Sequence, residues 1–396
     1  MSERFDVAVI GAGAAGMMCA AVAGQRGRSV VLLDHAARLA EKIRISGGGR
    51  CNFTNREVGP ANFISNNPQF ARSALEGYTV QDFVDLVMRY RIGFHEKHRG
   101  QLFCDESSEQ IIAMLVAECD AGRVQWRRPV TIVDLVPDPA QGFRIVTEGG
   151  SIAAKSVVIA TGGLSIPKIG ATDYAYRTAK RFGLRVVEPR PALVPLTFSS
   201  DVWAPFAALS GVAVEVDVAC AGTTARFRED LLFTHRGLSG PAVLQISSYW
   251  KPGTPLAIDL VPASDLRVEL LERKDTSKQN LSQVLANYLP KRLASQWQQT
   301  AGIDDRRIAE WSNGALTALA AGLEHWHLVP DGTEGFRKAE VTAGGVDTAE
   351  LSQKTFEAKR MPGLHFIGEA VDVTGWLGGY NFQWAWSSGF ASGQAV

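Results

Sequence analysis

Gly11-Ala12-Gly13-Ala14-Ala15-Gly16 decides the fold. It is a G-x-G-x-x-G pattern, and its neighbours complete it. Residues 5–10 are a short apolar run, as in a parallel strand buried on both faces. Residues 14–26 are alanine-rich and helical in character, and residues 29–34 form a second apolar run ending at Asp34. The spacing predicts a β-α-β unit. Gly11 permits the tight turn, Gly13 lets a pyrophosphate approach the backbone, and Gly16 lets the helix pack close to the strand. The helix start at Ala14 and Ala15 presents free N–H groups and a partial positive charge to phosphates. Asp34 stands where a carboxylate accepts ribose hydroxyls, and it leaves little room for a 2′-phosphate. A glycine-rich turn beside a surface aspartate is the plainer reading. Strand, turn, helix and carboxylate in this order favour a nucleotide.

The rest of the chain indicates which nucleotide. No second unit of this kind follows, and no separate catalytic domain of the sort that accompanies a lone NAD domain. Near its end the chain returns to an apolar run, residues 364–367, and then to Gly368-Glu369-Ala370-Val371-Asp372. Glu369 or Asp372 there can hold the ribityl chain of a flavin crossing the fold, although either could cap a helix. Ala160-Thr161-Gly162-Gly163 supplies another strand-end turn. Gly47-Gly48-Gly49 suits no regular element and suggests backbone folded against a flat ligand. Around it, Ser46, Gly48, Gly49, Arg50, Cys51 and Asn52 are candidate cofactor contacts. Arg50 suits a pyrophosphate or a substrate oxyanion, and Asn52 a flavin edge. Gly378-Gly379-Tyr380-Asn381 opens a last helix, whose N–H groups suit the negative charge a reduced flavin develops along N1 and C2=O. The expected cofactor is FAD. NAD(P)H would dock transiently as donor, and another donor is equally compatible.

The expected fold class is α/β: a Rossmann-like, glutathione-reductase-like FAD-binding domain interrupted by a β-rich insertion and a helical subdomain. The first part of the FAD domain spans residues 1–190, and Pro189, Pro191 and Pro195 mark its exit. Val212, Val214, Val216 and Val218 alternate as in a strand, so residues 191–262 read as the β-rich insertion. Apolar spacing of three and four from Leu266 to Leu289 makes residues 263–335 helical, with Ser264 as candidate N-cap. Residues 336–396 return to the FAD domain. Among its 396 residues, 41 basic and 41 acidic side chains cancel, which argues against a nucleic-acid partner. Five cysteines with no C-x-x-C fit free thiols in a reducing compartment. No targeting or membrane segment is read, so the expected location is the cytoplasm.

Hydride leaves flavin N5 in such chemistry, and an acid supplies the proton. The proton-donor candidates are Tyr380, His235 and Asp173. With Arg50 as a substrate-binding cation, the candidate catalytic set is Tyr380, Arg50 and His235. Cys51 has no partner near in sequence, so a packed small thiol is its default. His325 and His327, either side of Trp326, are read as lying on a strand, and with no cysteine or carboxylate cluster to support them no metal site is expected.

Four stretches carry a family resemblance. They are Lys42-Ile43-Arg44-Ile45-Ser46-Gly47-Gly48-Gly49-Arg50-Cys51-Asn52 with Thr54-Asn55, Thr234-His235-Arg236-Gly237-Leu238-Ser239-Gly240-Pro241, Ala339-Glu340-Val341-Thr342-Ala343-Gly344-Gly345-Val346, and Gly368 through Gly378-Gly379-Tyr380-Asn381-Phe382-Gln383. The chain resembles, along essentially its whole length, the YhiN/BaiN-type family of bacterial NAD(P)/FAD-dependent flavoproteins. The resemblance implies a FAD domain interrupted by a β-rich domain and a helical piece, with Lys42 among the cofactor contacts. Some members reduce activated C=C bonds in steroid-like enones, so a small, mostly apolar substrate is expected under the insertion. Cys104 departs from the proline of some members, which counts against Cys104 as a catalytic family trait. Two other readings stay open: a flavoprotein that binds RNA, and a redox sensor with little turnover.

Overall fold

The computed structural model describes residues 3–396. Strand β1 (Glu3–Ile10) enters the glycine turn, helix α1 (Ala14–Gln25) leaves it, and β2 (Val30–Leu33) returns beside β1 in parallel. Val7, Ala8, Val9 and all of β2 are buried, because helices cover both faces of a parallel sheet. A side chain of that size fully buried stabilises by about 1.5–3 kcal/mol, so this short apolar ladder anchors the turn.

The sheet runs in the order Gln125–Arg127, β2, β1, Gly150–Ile159, Gly142–Thr147, Ile132–Asp138. Strand Gly150–Ile159 divides its outer edge. Its first half pairs antiparallel with Gly142–Thr147, and its second half pairs parallel with Leu364–Phe366 from the far end of the chain. The C-terminal helix Tyr380–Ala395 lies on α1. Backbones approach there so closely that a Cβ on Gly389 would stand 2.6 Å from the Ala15 carbonyl oxygen. Phe83 stacks on Trp386 at 4.4 Å, further fixing that helix.

The chain divides into two compact units, Met1–Arg190 with Val341–Val396, and Pro191–Glu340. In the second, a seven-stranded antiparallel sheet draws strands from both the β-rich and the helical stretches. Trp326–Leu328 closes one edge and Gly332–Thr333 the other. Ala213–Cys220 and Arg226–Phe233 pair as antiparallel strands inside the stretch read as β-rich. Two local expectations are corrected. Helix Leu266–Thr276 is capped by Asp265, which accepts from Val268 N at 3.0 Å, and not by Ser264. His325 closes helix Asn313–Glu324, so only His327 lies on the strand beside Trp326. The proline-rich exit is itself partly a strand, Val186–Ala192. Among the described residues, no helix is long and apolar enough to cross a membrane.

His365, on strand Leu364–Phe366, is 3% exposed, and its Nδ1 lies 2.9 Å from the Thr355 carbonyl, to which it donates. Burial holds its pKa below the ordinary 6.5. The unfolded chain therefore binds a proton that the folded chain refuses. Stability is full above the ordinary value and falls as pH drops from about 6.5 toward the folded pKa. Urea midpoints measured across that window should fall toward acid, and a His365→Gln variant should lose part of the slope; parallel slopes would exclude this origin.

Candidate active site

The nucleotide turn is built from backbone contacts that only glycine allows. A Cβ on Gly16 would stand 1.8 Å from the Gly11 carbonyl oxygen, and one on Gly11 would stand 2.5 Å from the Ala160 carbonyl oxygen. The turn after β1 is thus pressed against Ala160-Thr161-Gly162. Asp34 sets its shape: Oδ2 accepts from Ala12 N at 2.6 Å and Oδ1 from Ala36 N at 2.7 Å. A Cβ on Gly13, Gly48, Gly49 or Gly162 would meet nothing within 4 Å, and Thr161 Oγ1 is buried without a hydrogen-bond partner. Open glycine backbone, the first N–H groups of α1 and an orphaned buried hydroxyl fit a dinucleotide lying along this edge.

Helix α2 (Glu41–Ile45) leads into the glycine run. Lys42 Nζ lies 2.5 Å from Glu369 Oε2 and donates to Ser165 Oγ. Glu369 Oε1 accepts from Thr342 N at 2.8 Å and from Ser165 Oγ at 3.1 Å. One carboxylate thus ties together α2, the loop after Gly150–Ile159, the strand Val341–Val346 and the turn Gly368–Ala370. Gly368 is held too: its N–H donates to Ser388 Oγ, and its carbonyl accepts from Trp384 Nε1. Asp372 is buried and accepts from Asn66 N at 3.1 Å. Burial raises its pKa against that hydrogen bond and the charge of Arg190.

The glycine run is a tight turn, Ser46–Gly49, with positive φ at all three glycines. Ser46 Oγ donates to the Ile43 carbonyl, which closes α2. Arg50 is exposed, with no ion pair among the described residues. Cys51 is fully buried, and burial pushes its thiol well above the ordinary range; Cys104, also buried, is pushed up to about 12. Neither is poised as a thiolate.

Strand β3 (Asn52–Asn55) carries the other half of the site. The Asn52 amide, oriented to satisfy its neighbours, donates to the Leu102 and Thr54 carbonyls and accepts from Gly379 N at 3.2 Å. Asn55 Nδ2 donates to the Gly378 carbonyl at 3.0 Å, and Thr54 Oγ1 donates to Gln383 Oε1 at 2.6 Å. Gly379 has φ +95, and a Cβ on it would stand 2.3 Å from the Thr54 carbonyl oxygen. The start of the C-terminal helix is therefore clamped onto β3. Tyr380 is packed, with its ring edge-on to Phe63 and Trp376. Asn381 spends its amide within the loop, accepting from Gly375 N and donating to the Gly375 and Trp376 carbonyls.

In the first unit, Lys42 and Glu369 join the strand-end turns to α2, and β3 is clamped to the Gly378–Gly379 turn. His235 belongs to the second unit, exposed on a tight turn there. Asp173 forms an exposed ion pair with Arg177 at 2.8 Å. Sequence reasoning missed Ser165 as a partner of Lys42. It also missed Gln101, whose side chain packs against Gly378. No local signal marks either.

This fold and site define a FAD-dependent oxidoreductase built on a Rossmann-like FAD-binding domain. The family described as HI0933-like protein Rossmann domain matches residues 5–395, and the chain belongs to it. The chain is 50% identical over 393 residues to the ribosomal RNA dihydrouridine synthase of Escherichia coli (strain K12), covering 99% of this chain and 98% of that protein. It is 29% identical over 416 residues to the 3-dehydro-bile acid delta(4,6)-reductase of Clostridium scindens, with 98% of each covered. Among solved structures, the Mycobacterium smegmatis Sdh1 complex in the apo form is similar, with a TM-score of 0.50 and 16% identity, covering 99% of this chain and 68% of that one. That likeness concerns the fold alone.

Proposed function

We propose that the protein reduces a C=C bond conjugated to a carbonyl, and that its substrate is a uridine of ribosomal RNA. The observation that carries this is the match at 50% identity along nearly the whole of both chains. A second reading, reduction of a small enone-like molecule, rests on the match at 29% identity. The two substrates share their chemistry. The C5=C6 bond of uracil is conjugated to C4=O, so either acceptor takes hydride at the β-carbon and a proton at the α-carbon. The RNA reading runs against the expectation of no nucleic-acid partner, which came from a charge averaged over the chain. It accords with a cytoplasmic location.

FAD, when bound, supplies the hydride equivalent. The remaining roles fall to the chain. The N–H groups of Gly13, Ala14, Ala15 and Gly16 bind the pyrophosphate, and Asp34 accepts from the ribose. Ser46, Gly48, Gly49, Cys51 and Asn52 line the flavin side with Ala160, Thr161 and Gly162. The Gly378 and Tyr380 N–H groups would stabilise negative charge on the flavin, and Gly379, whose N–H is held by Asn52, would fix the turn that presents them. Asn381 keeps that turn in shape, while Lys42, Glu369, Gly368 and Asp372 hold its supports. Arg50 binds substrate oxygen or phosphate. Tyr380 and His235 are the candidates to deliver the proton, and NADH or NADPH docks transiently to deliver electrons.

Anaerobic mixing with NADH or NADPH should bleach the flavin. Adding an unmodified ribosomal RNA transcript should restore its colour and leave dihydrouridine in the RNA by mass spectrometry. Colour restored by an enone and not by RNA would favour the second reading. Colour restored by neither would overturn both.

A further inference from the structure

We infer that the Tyr176 hydroxyl, with the buried carboxylate Asp372, holds the ribityl chain of the flavin; this rests on FAD lying in the first unit as assigned above. Tyr176 is 4% exposed, and its hydroxyl has no hydrogen-bond partner among the described residues. Buried hydroxyls are almost always paired, so this one points to a group that the chain itself does not provide. Tyr176 lies on helix Tyr174–Arg181, on the buried face with Ala175, Thr178 and Ala179. That helix packs against strand Val341–Val346. One end of the strand is tied to Glu369 through Thr342 N. The other is tied to Asp372, whose N–H donates to the Val346 carbonyl at 3.0 Å. The helix of Tyr176 thus lies on the strand that joins the two acidic residues of the segment 368–372. Burial pushes the Tyr176 pKa up, and the charges of Glu369 and Asp372 add to the rise. The hydroxyl therefore keeps its proton and serves as a donor.

The two carboxylates differ in what they have left to offer. Glu369 spends both oxygens, on Thr342 N, Ser165 Oγ and Lys42 Nζ. Asp372 is 5% exposed and accepts only from Asn66 N, through Oδ2, among the described residues. Its Oδ1 is left to accept from a ligand. A second buried hydroxyl, Thr161 Oγ1, is also unpaired near this strand, since a Cβ on Gly163 would stand 2.4 Å from Thr342 Oγ1.

The charge of the place selects the part of FAD that fits it. A donor and an acceptor with nothing to bind suit a group that accepts and donates at once. A pyrophosphate only accepts, and Glu369 and Asp372 repel it. The N1 and C2=O edge of a reduced flavin carries negative charge and is repelled in the same way. The adenosine ribose is assigned to Asp34, at the end of β2. The ribityl chain remains: a row of neutral hydroxyls, each both donor and acceptor. One of them accepts from Tyr176, and it or its neighbour donates to Asp372 Oδ1.

The test is FAD release from the holoenzyme, followed by flavin fluorescence on dilution and by competition with ADP, which lacks both the ribityl chain and the ring. Tyr176→Phe keeps the aromatic ring in its place and removes only the donor. FAD should bind about three- to tenfold more weakly, while ADP should compete with an unchanged inhibition constant. The visible flavin bands should keep their positions, because the contact is to the chain and not to the ring. The melting midpoint in saturating ADP should not fall, since the hydroxyl then has no partner to lose. Unchanged FAD affinity would leave the hydroxyl to a buried water. Equal weakening of FAD and ADP would place it on the adenylate side, and shifted bands would place it on the ring. Each of these three results overturns the inference and leaves FAD in the first unit. Wild-type holoenzyme from which ADP displaces no FAD would overturn that placement as well, before any variant is made.

Discussion

Gly379→Ala is expected to yield a colourless protein. The site has room for no Cβ, because the added atom would stand 2.3 Å from the Thr54 carbonyl oxygen and 2.4 Å from its carbon. These are backbone atoms of a paired strand, so relief requires β3 and the C-terminal helix to separate. Separation breaks the Asn52 contact to Gly379 N and pulls on the Thr54–Gln383 hydrogen bond. Positive φ adds its own penalty for an L side chain. The combined cost is about 3–5 kcal/mol, in the range of severe core substitutions. Flavin binding should suffer more than global stability, since the displaced N–H groups are those assigned to the flavin. Gly27→Ala is the control: Gly27 also has positive φ, +86, but nothing lies within 4 Å of an added Cβ. It should cost about 1–2 kcal/mol and keep the colour. Full flavin occupancy in Gly379→Ala, measured as the visible-to-ultraviolet absorbance ratio, would remove the C-terminal turn from the site.

What could be read in the sequence follows from how local each feature is. The first turn was legible because its determinants lie within a few residues: a tight turn at Gly11, close packing at Gly16 and a carboxylate at the end of β2. Gly47-Gly48-Gly49 was legible for the same reason, since each adopts the positive φ that its lack of a Cβ invites. Residues between about 56 and 150 went largely unread although some signals were present. Thr79 and Asp82 form a capping box ahead of helix Val80–Arg89. The antiparallel extension from Ile132 to Thr147 is one such stretch, with Phe143 and Ile145 buried on one face and Arg144 exposed between them. Pairings across the chain had no sequence signal. Lys42 and Glu369 are 327 positions apart, and the strand Val341–Val346 brings Thr342 to them only after the fold closes. Glu369 was read as a flavin ligand from its place after a strand; the structure spends both its oxygens on protein groups.

Glu369→Ala should loosen the two ends of the chain from one another at the flavin edge. The carboxylate satisfies one backbone N–H, one hydroxyl and one ammonium at once. Lys42 is 34% exposed and Glu369 17%, so the ion pair itself is partly screened and contributes about 1 kcal/mol or less. The larger loss is the Thr342 N–H, left without an acceptor beside a buried strand, at about 1–3 kcal/mol. Glu369→Gln separates these contributions. Its carbonyl can still accept from Thr342 N, while its amide faces the Lys42 ammonium without attraction. The alanine variant should therefore melt lower than the glutamine variant, by about 2 kcal/mol of stability, and the glutamine variant should sit close to wild type. Flavin release on dilution should follow the same order, because the network joins α2, the Ser165 loop, Thr342 and the Gly368 turn around the proposed cofactor. Equal melting and equal flavin retention in the two variants would mean that charge, and not the backbone acceptor, is what Glu369 contributes.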